Sequence, residues 1–185
     1  MLRSDDERTT LLELLRARSV RRGDFVLASG ARSSYYIDAR LTTMSGSGQL
    51  LIGRRSLAEL DAAGWAPESV GGLTLGADPV AYAIAHAAAA GGRTIDAFTV
   101  RKEAKAHGTG RLIEGNLREG GRVLVVEDVI TTGGSALRAI EAVTAAGALV
   151  IGVLAVVDRE EGGRARIEEA GHPVIALAGA AELLA

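Results

Sequence analysis

The sequence predicts an α/β fold: a central, mainly parallel sheet flanked by helices. Two observations carry this. From about residue 50 onward, short apolar runs of strand length alternate with longer segments of helical character, and parallel neighbours need such crossover connections. The strongest run, Val123 to Val126, leads into two acids and then a glycine-rich opening to a helical segment. In sheets of this kind ligands collect at the carboxyl ends of the strands. At 185 residues the chain suits one α/β domain spanning 1–185, with residues of about 1–45 as a helix-and-hairpin decoration.

Leu11, Leu12, Leu14 and Leu15 recur at near-helical spacing after a polar start, predicting an amphipathic helix over about 5–18 that ends by Gly23. Residues 25–40 hold two β-prone stretches around a turn-rich segment at 28–34, which reads as a hairpin. Helices are expected at 50–62, 80–90, 134–146 and about 165–170; strands at 69–73, 95–100, 122–127, 149–157 and 174–177. Between the second and third of those strands, residues 101–112 form a polar, charged stretch with two glycines, unlike any core segment.

Composition narrows the function classes. An apolar fraction of 48% and a charged fraction of 24% describe a globular protein rather than a disordered or membrane one. A formal net charge of -2 gives no general basic field, so neither nucleic acid nor membrane is an expected partner. The chain has no cysteine, which excludes disulfides, thiol catalysis and cysteine-ligated metals. The N-terminal residues are polar and acidic, unlike a signal peptide, and the alanine run ending at Ala90 is too short to span a bilayer. A cytoplasmic location is the expectation.

The decisive segment runs from Val123 to Ser135: four apolar residues, the acids Glu127 and Asp128, then Val129, Ile130, Thr131, Thr132, Gly133, Gly134 and Ser135. Glycines let backbone N–H groups approach an anion, hydroxyls add donors, and a helix N-terminus favours negative charge. The acid pair would repel a phosphate placed on it, yet carboxylates accept hydrogen bonds from sugar hydroxyls. Together the two features suit a sugar phosphate. The plainer reading is a solvated strand end followed by an ordinary helix cap.

These residues resemble the phosphoribosyl pyrophosphate (PRPP) signature of the type I phosphoribosyltransferases. The resemblance implies that family's fold, a parallel sheet flanked by helices with a small N-terminal hood. It also implies that Glu127 and Asp128 face the ribose, and that the stretch through Val129, Ile130, Thr131, Thr132, Gly133, Gly134 and Ser135 binds PRPP and cradles its 5′-phosphate. Magnesium would enter held mainly by PRPP and water, with no protein cage.

Arg101, Lys102, Lys105 and His107 bring three permanent cations and a histidine within seven positions, followed by Gly108 and Gly110. By itself such a run reads as a solvated loop. It is similar, however, to the mobile catalytic loop of the orotate phosphoribosyltransferases, which crosses a homodimer interface to complete the neighbouring site. The resemblance implies that Lys105 and His107 cover the departing pyrophosphate, with Arg101 and Lys102 contacting pyrophosphate or phosphate oxygens. Lys105, His107 and Asp128 are thereby the expected catalytic residues. Cations that meet the charge developing on a leaving group stabilise the transition state more than the ground state.

Orotate carries a carboxylate beside a planar ring, which an arginine fork would recognise. Arg159 ends a predicted strand at the ligand face and resembles the family's orotate-binding position, with Asp158 orienting it. Thr131, Ser29, Gly30, Tyr35 and Tyr36 complete the expected orotate contacts, the two tyrosines being equally readable as core or interface residues. Two departures from the family pattern stand out. Ala28 and Gly76 occupy positions where many relatives have lysine, so weaker substrate binding is expected, and Asp78 is a candidate to hold a metal through water. The alternatives left open are a purine or uracil phosphoribosyltransferase and a non-catalytic, PRPP-sensing regulator of the same fold.

Overall fold

A computed structural model of the chain describes residues 4–26, 32–103 and 112–185. In chain order the elements are α1 (Ser4–Ser19), β1 (Val20–Val26), β2 (Arg32–Ile37), α2 (Arg40–Thr43), α3 (Gly46–Ala63), β3 (Ser69–Leu73), α4 (Ala77–Ala90), β4 (Asp96–Val100), β5 (Ile113–Gly115), β6 (Arg122–Ile130), α5 (Gly134–Ala145), β7 (Leu149–Asp158), α6 (Gly163–Glu169), β8 (Val174–Gly179) and α7 (Ala180–Leu184).

Six strands form the main sheet in the order β5-β4-β3-β6-β7-β8. All neighbours pair in parallel except β4 with β5. The expected α/β architecture is therefore present, with one antiparallel edge.

The apolar strands divide their side chains between the two faces with a period of two. Leu124 and Val126 of β6 join Leu154 and Val156 of β7 in a core beneath α1, α3 and α4. Val123 and Val125 join Val153 and Ala155 in a second core beneath α5 and α6. Each fully buried Val or Leu contributes on the order of 1.5–3 kcal/mol, which holds the central strands against both helical layers.

Several boundaries differ from expectation for identifiable reasons. β1 begins at Val20, directly after α1, where the polar run Arg21-Arg22-Gly23-Asp24 reads as a break. It pairs antiparallel with β2 and is itself mostly exposed, so β1 carries no apolar alternation to read, whereas β2 turns Tyr35 and Ile37 toward the core. α2, β5 and α7 are three to five residues long, below the length at which periodicity is legible. β6 continues to Ile130, because Val129 and Ile130 pair with Val157 and Asp158 of β7. Those two residues, read as part of the loop after the acids, are strand.

Polar contacts hold the hood together and tie it to the body. Ser19 and Thr42 share a buried hydroxyl–hydroxyl hydrogen bond of 2.7 Å, and the Asp38 N–H donates to the Ser19 carbonyl at 2.9 Å. Arg8 of α1 pairs with Glu182 of α7 at 2.6 Å, which joins the two ends of the described chain.

Candidate functional site

The strand order reverses between β3 and β6. From β3 the chain moves outward through β4 to β5, then returns to the other side of β3 and moves outward again through β7 and β8. Such a switch point leaves a crevice at the carboxyl ends of the two strands, because the connections after them depart in opposite directions. β6 pairs with β3 only through Val125, yet with β7 through Ile130. A cavity of about 360 Å³ occupies this position, within the range of small-ligand sites.

Three groups of residues line it. The β6 end supplies Glu127, Asp128, Val129, Thr131 and Ser135; the β3 end supplies Leu73 to Gly76; the hood supplies Tyr36 to Arg40. Lys102, Arg138 and Arg159 complete the wall. A smaller concavity of about 80 Å³ adjoins it, lined by Glu127 and Val129 to Ala136. Ile130 at the end of β6 and the turn residues Thr132, Gly133 and Gly134 belong to this second hollow.

The turn is shaped for an anion. Gly133 has φ of 74° and stands as the N-cap of α5 with no side-chain cap, so the N–H groups of the first helical turn face the hollow without an internal acceptor. A Cβ on Gly133 would fall 2.7 Å from the Gly163 carbonyl, so both conformation and packing demand glycine there.

The acid pair stands beside this turn, Glu127 buried and Asp128 half-buried. Burial pushes the Glu127 carboxyl up to about 8, aided by the neighbouring Asp128 charge and opposed by Arg138. Its Oε1 is buried with no hydrogen-bond partner among the described residues. Asp128 is also raised by burial, against the pull of the Val129 N–H and of Arg40. An under-satisfied carboxyl in a polar hollow is a group waiting for a ligand's donors.

Arg40 is held by Asp38 through two parallel contacts, Nε to Oδ1 at 2.8 Å and Nη2 to Oδ2 at 3.0 Å. This pairing holds the Asp38 carboxyl below its ordinary value. Asp38 and Arg40 lie in the stretch that resembles the family's hood, whereas Arg138 was not singled out from the sequence. Arg138 follows Ser135 by three positions on one helix, a spacing that shares a face, and that spacing was the available signal.

Arg159 lines the cavity beyond β7, its backbone N–H bonded to the Ile130 carbonyl at 2.9 Å. The Tyr35 ring lies 5.0 Å from its guanidinium carbon, a cation–π distance. Tyr36 lines the cavity and packs against Phe25 with ring centroids 5.7 Å apart. Both tyrosines are therefore at the site, one under the arginine and one in the wall.

Other expected residues lie elsewhere. Arg101 reaches Glu114 of β5 at 3.6 Å. Asp158 accepts the Glu160 N–H at 2.8 Å and so shapes the turn after β7 rather than orienting Arg159. Asp78 accepts the hydroxyls of Thr74 at 2.7 Å and Thr99 at 2.9 Å. It clasps the loop after β3, whose Thr74–Leu75 peptide is cis, and both its oxygens are occupied. Ser29, Gly30, Lys105 and His107 lie outside the described residues.

Comparison with known proteins agrees with this geometry. Residues 50–170 match the phosphoribosyl transferase domain family. The orotate phosphoribosyltransferase of Streptomyces avermitilis is 51% identical over 173 residues, 91% of this chain and 92% of that protein. The Mycobacterium tuberculosis orotate phosphoribosyltransferase in complex with Fe(III) dicitrate superposes with a TM-score of 0.84 at 51% identity, covering 96% of this chain and 98% of that one. The same enzyme in complex with PRPP gives a TM-score of 0.79 at 44% identity, covering 96% of this chain and 91% of that one.

Proposed function

As the chain belongs to the phosphoribosyl transferase family, and within it to the orotate phosphoribosyltransferases, we propose that its cleft binds PRPP and orotate. There it transfers the 5-phosphoribosyl group to the base, giving orotidine 5′-monophosphate and pyrophosphate on the way to UMP. The observation that carries this reading is a cavity and its adjoining hollow, which bring together an acid pair with Glu127 buried, a glycine turn at a helix N-terminus and a buried arginine. These suit, in turn, a sugar, a phosphate and a carboxylated base.

The 5′-phosphate sits in the turn from Thr131 to Ser135, where hydroxyls and helix N–H groups donate to it. Glu127 and Asp128 accept from the ribose hydroxyls, and Glu127 Oε1 gains the donor it lacks. As the C1′–pyrophosphate bond lengthens, positive charge grows on the sugar and the Asp128 carboxylate stabilises it. The ring nitrogen of orotate attacks C1′ from the opposite face, the bonding electrons leave with pyrophosphate, and the proton given up by the nitrogen passes through water to the basic oxygens of that pyrophosphate. Arg159 holds the orotate carboxylate, with Tyr35 beneath the guanidinium and Thr131 and Tyr36 at the ring. Ser29 and Gly30 are assigned to the base as backbone contacts.

Lys102, Lys105 and His107 face the leaving pyrophosphate, and Arg101 joins them when the loop closes over it. Magnesium would be held mainly by PRPP oxygens and water; Glu127 and Asp128, which line the same cavity, are hard oxygen groups suited to meet it through that water, and the ion would supply charge neutralisation of the diphosphate.

Residues 1–185 act as one domain with the first 45 or so as hood, and the working unit is a cytoplasmic homodimer in which the 101–111 loop serves the neighbouring site. Leu41 of α2, Met44 just after it, Leu50 of α3 and Tyr82 of α4, all exposed side chains, supply apolar surface for the subunit contact. The test is an orotate-consumption assay with PRPP and Mg²⁺ across a base panel. Orotate should be the preferred acceptor, and preference for uracil, hypoxanthine or adenine would overturn the choice of base.

A further inference from the structure

Beyond β7 the chain reverses within three residues, and the reversal aims Glu161 back at Arg159. Asp158 Oδ1 accepts the Glu160 N–H at 2.8 Å, Glu160 takes a left-handed φ of 60°, and its Oε2 accepts the Ala181 N–H at 2.8 Å. With Glu160 tied down on both sides, Glu161 Oε1 comes to 2.7 Å from Arg159 Nη2. The Tyr35 hydroxyl lies 3.5 Å from the same carboxylate oxygen. Tyr35 thus touches both members of the pair, the ring under the cation and the hydroxyl at the anion.

The pair is unequal and incomplete. The Arg159 side chain is 5% exposed and the Glu161 side chain 36%, so one partner is fixed in the wall and the other is free to move into solvent. Arg159 Nε and Nη2 are both buried without a hydrogen-bond partner among the described residues. The Nη2 contact is close in distance but not aligned along an N–H bond. Glu161 therefore matches the charge of Arg159 and leaves its donor fork unfilled. A planar carboxylate arriving with two oxygens would fill both donors, the geometry for which guanidinium is best suited.

We infer that Glu161 is a placeholder for the carboxylate of the acceptor base. In the empty cleft it neutralises a buried arginine whose charge would otherwise stand alone. When the base docks, Glu161 gives up the guanidinium and swings outward. An internal competitor lowers apparent affinity by the fraction of time it occupies the site, and it narrows acceptance to bases whose own carboxylate can replace it. Glu161 is thereby a specificity-determining residue that need not touch the product.

The inference rests on the orotate reading of Arg159, and the experiment separates the two. In Glu161→Gln and in Glu161→Asp, whose shorter side chain draws the carboxylate back, the KM for orotate should fall about three- to tenfold, with a smaller change in the KM for PRPP. Glu161→Ala should behave like them. Arg159→Lys is measured alongside. If Arg159→Lys leaves the orotate KM unchanged, the assignment of Arg159 fails and the placeholder fails with it. If Arg159→Lys raises the orotate KM while the Glu161 variants leave it unchanged or raise it, the placeholder alone is overturned.

Discussion

Gly76 lies against the Asp128 carboxylate so closely that a Cβ built on it would fall 2.5 Å from Asp128 Oδ1. The position at which many relatives carry lysine is here the floor beneath an acidic residue of the site. Absence of a side chain at 76 and the seat of Asp128 are one structural fact. Gly76→Ala should displace Asp128 and raise the KM for PRPP by roughly an order of magnitude, with a loss of about 1–3 kcal/mol in stability from overpacking. Steady-state kinetics with thermal unfolding checks both, and an alanine variant with unaltered PRPP kinetics would show that Asp128 has other room.

Glu127 links pH to both stability and binding. Its carboxyl is raised from 4.5 to about 8 by burial, so between those values the folded chain keeps a proton that the unfolded chain has released. Stability from this group is fully present below pH 4.5 and falls as pH rises through about 8. Glu127→Gln should flatten that slope in a series of melting curves from acid to neutral pH.

Substrate reverses the same equilibrium. Ribose hydroxyls and a magnesium-bound diphosphate favour the ionised carboxylate, so binding of Mg-PRPP near neutral pH should release up to about one proton. Calorimetry in two buffers of different ionisation enthalpy measures this directly. Equal heats in both buffers, with wild type and Glu127→Gln indistinguishable, would mean that Glu127 does not ionise on binding.

Asp78 is expected to act through the loop it clasps. Replacing it by alanine frees the Thr74 and Thr99 hydroxyls, both within 2.9 Å of its oxygens, and should lower stability by about 1.5–3 kcal/mol. The PRPP KM should rise more than the orotate KM, because residues 73–76 line the cavity beside Asp128, which the proposal assigns to the ribose. Asp78→Asn, which keeps one acceptor, should fall between the two.

Lys105 lies in the cationic stretch of the sequence at 101–107. Under the proposed mechanism Lys105→Ala should reduce kcat by about 10²–10³ while changing orotate affinity little, since a charge that meets the leaving group acts in the transition state. Pre-steady-state measurement of the transfer step distinguishes this from slowed product release.

Sequence alone determined the strand and helix alternation, the strand at Ser69–Leu73 to the residue, and the acid pair followed by a glycine turn. These are local matters: period, turn chemistry and anion-binding groups lie within a dozen neighbours along the chain. The resemblance placed Arg159 at the base, and folding brought it into the same cavity.

Only the tertiary structure decided what faces what. Gly76 against Asp128, Arg138 near Glu127, Tyr35 under Arg159 and Glu161 on the same guanidinium join separate elements or a reversed turn, and no periodicity encodes such meetings. The raised carboxyl of Glu127 likewise comes from burial, which two helical layers and a switch point create together. Sequence names the groups able to hold a sugar phosphate; packing sets their distances and their protons, because dielectric and contact are properties of the assembled interior.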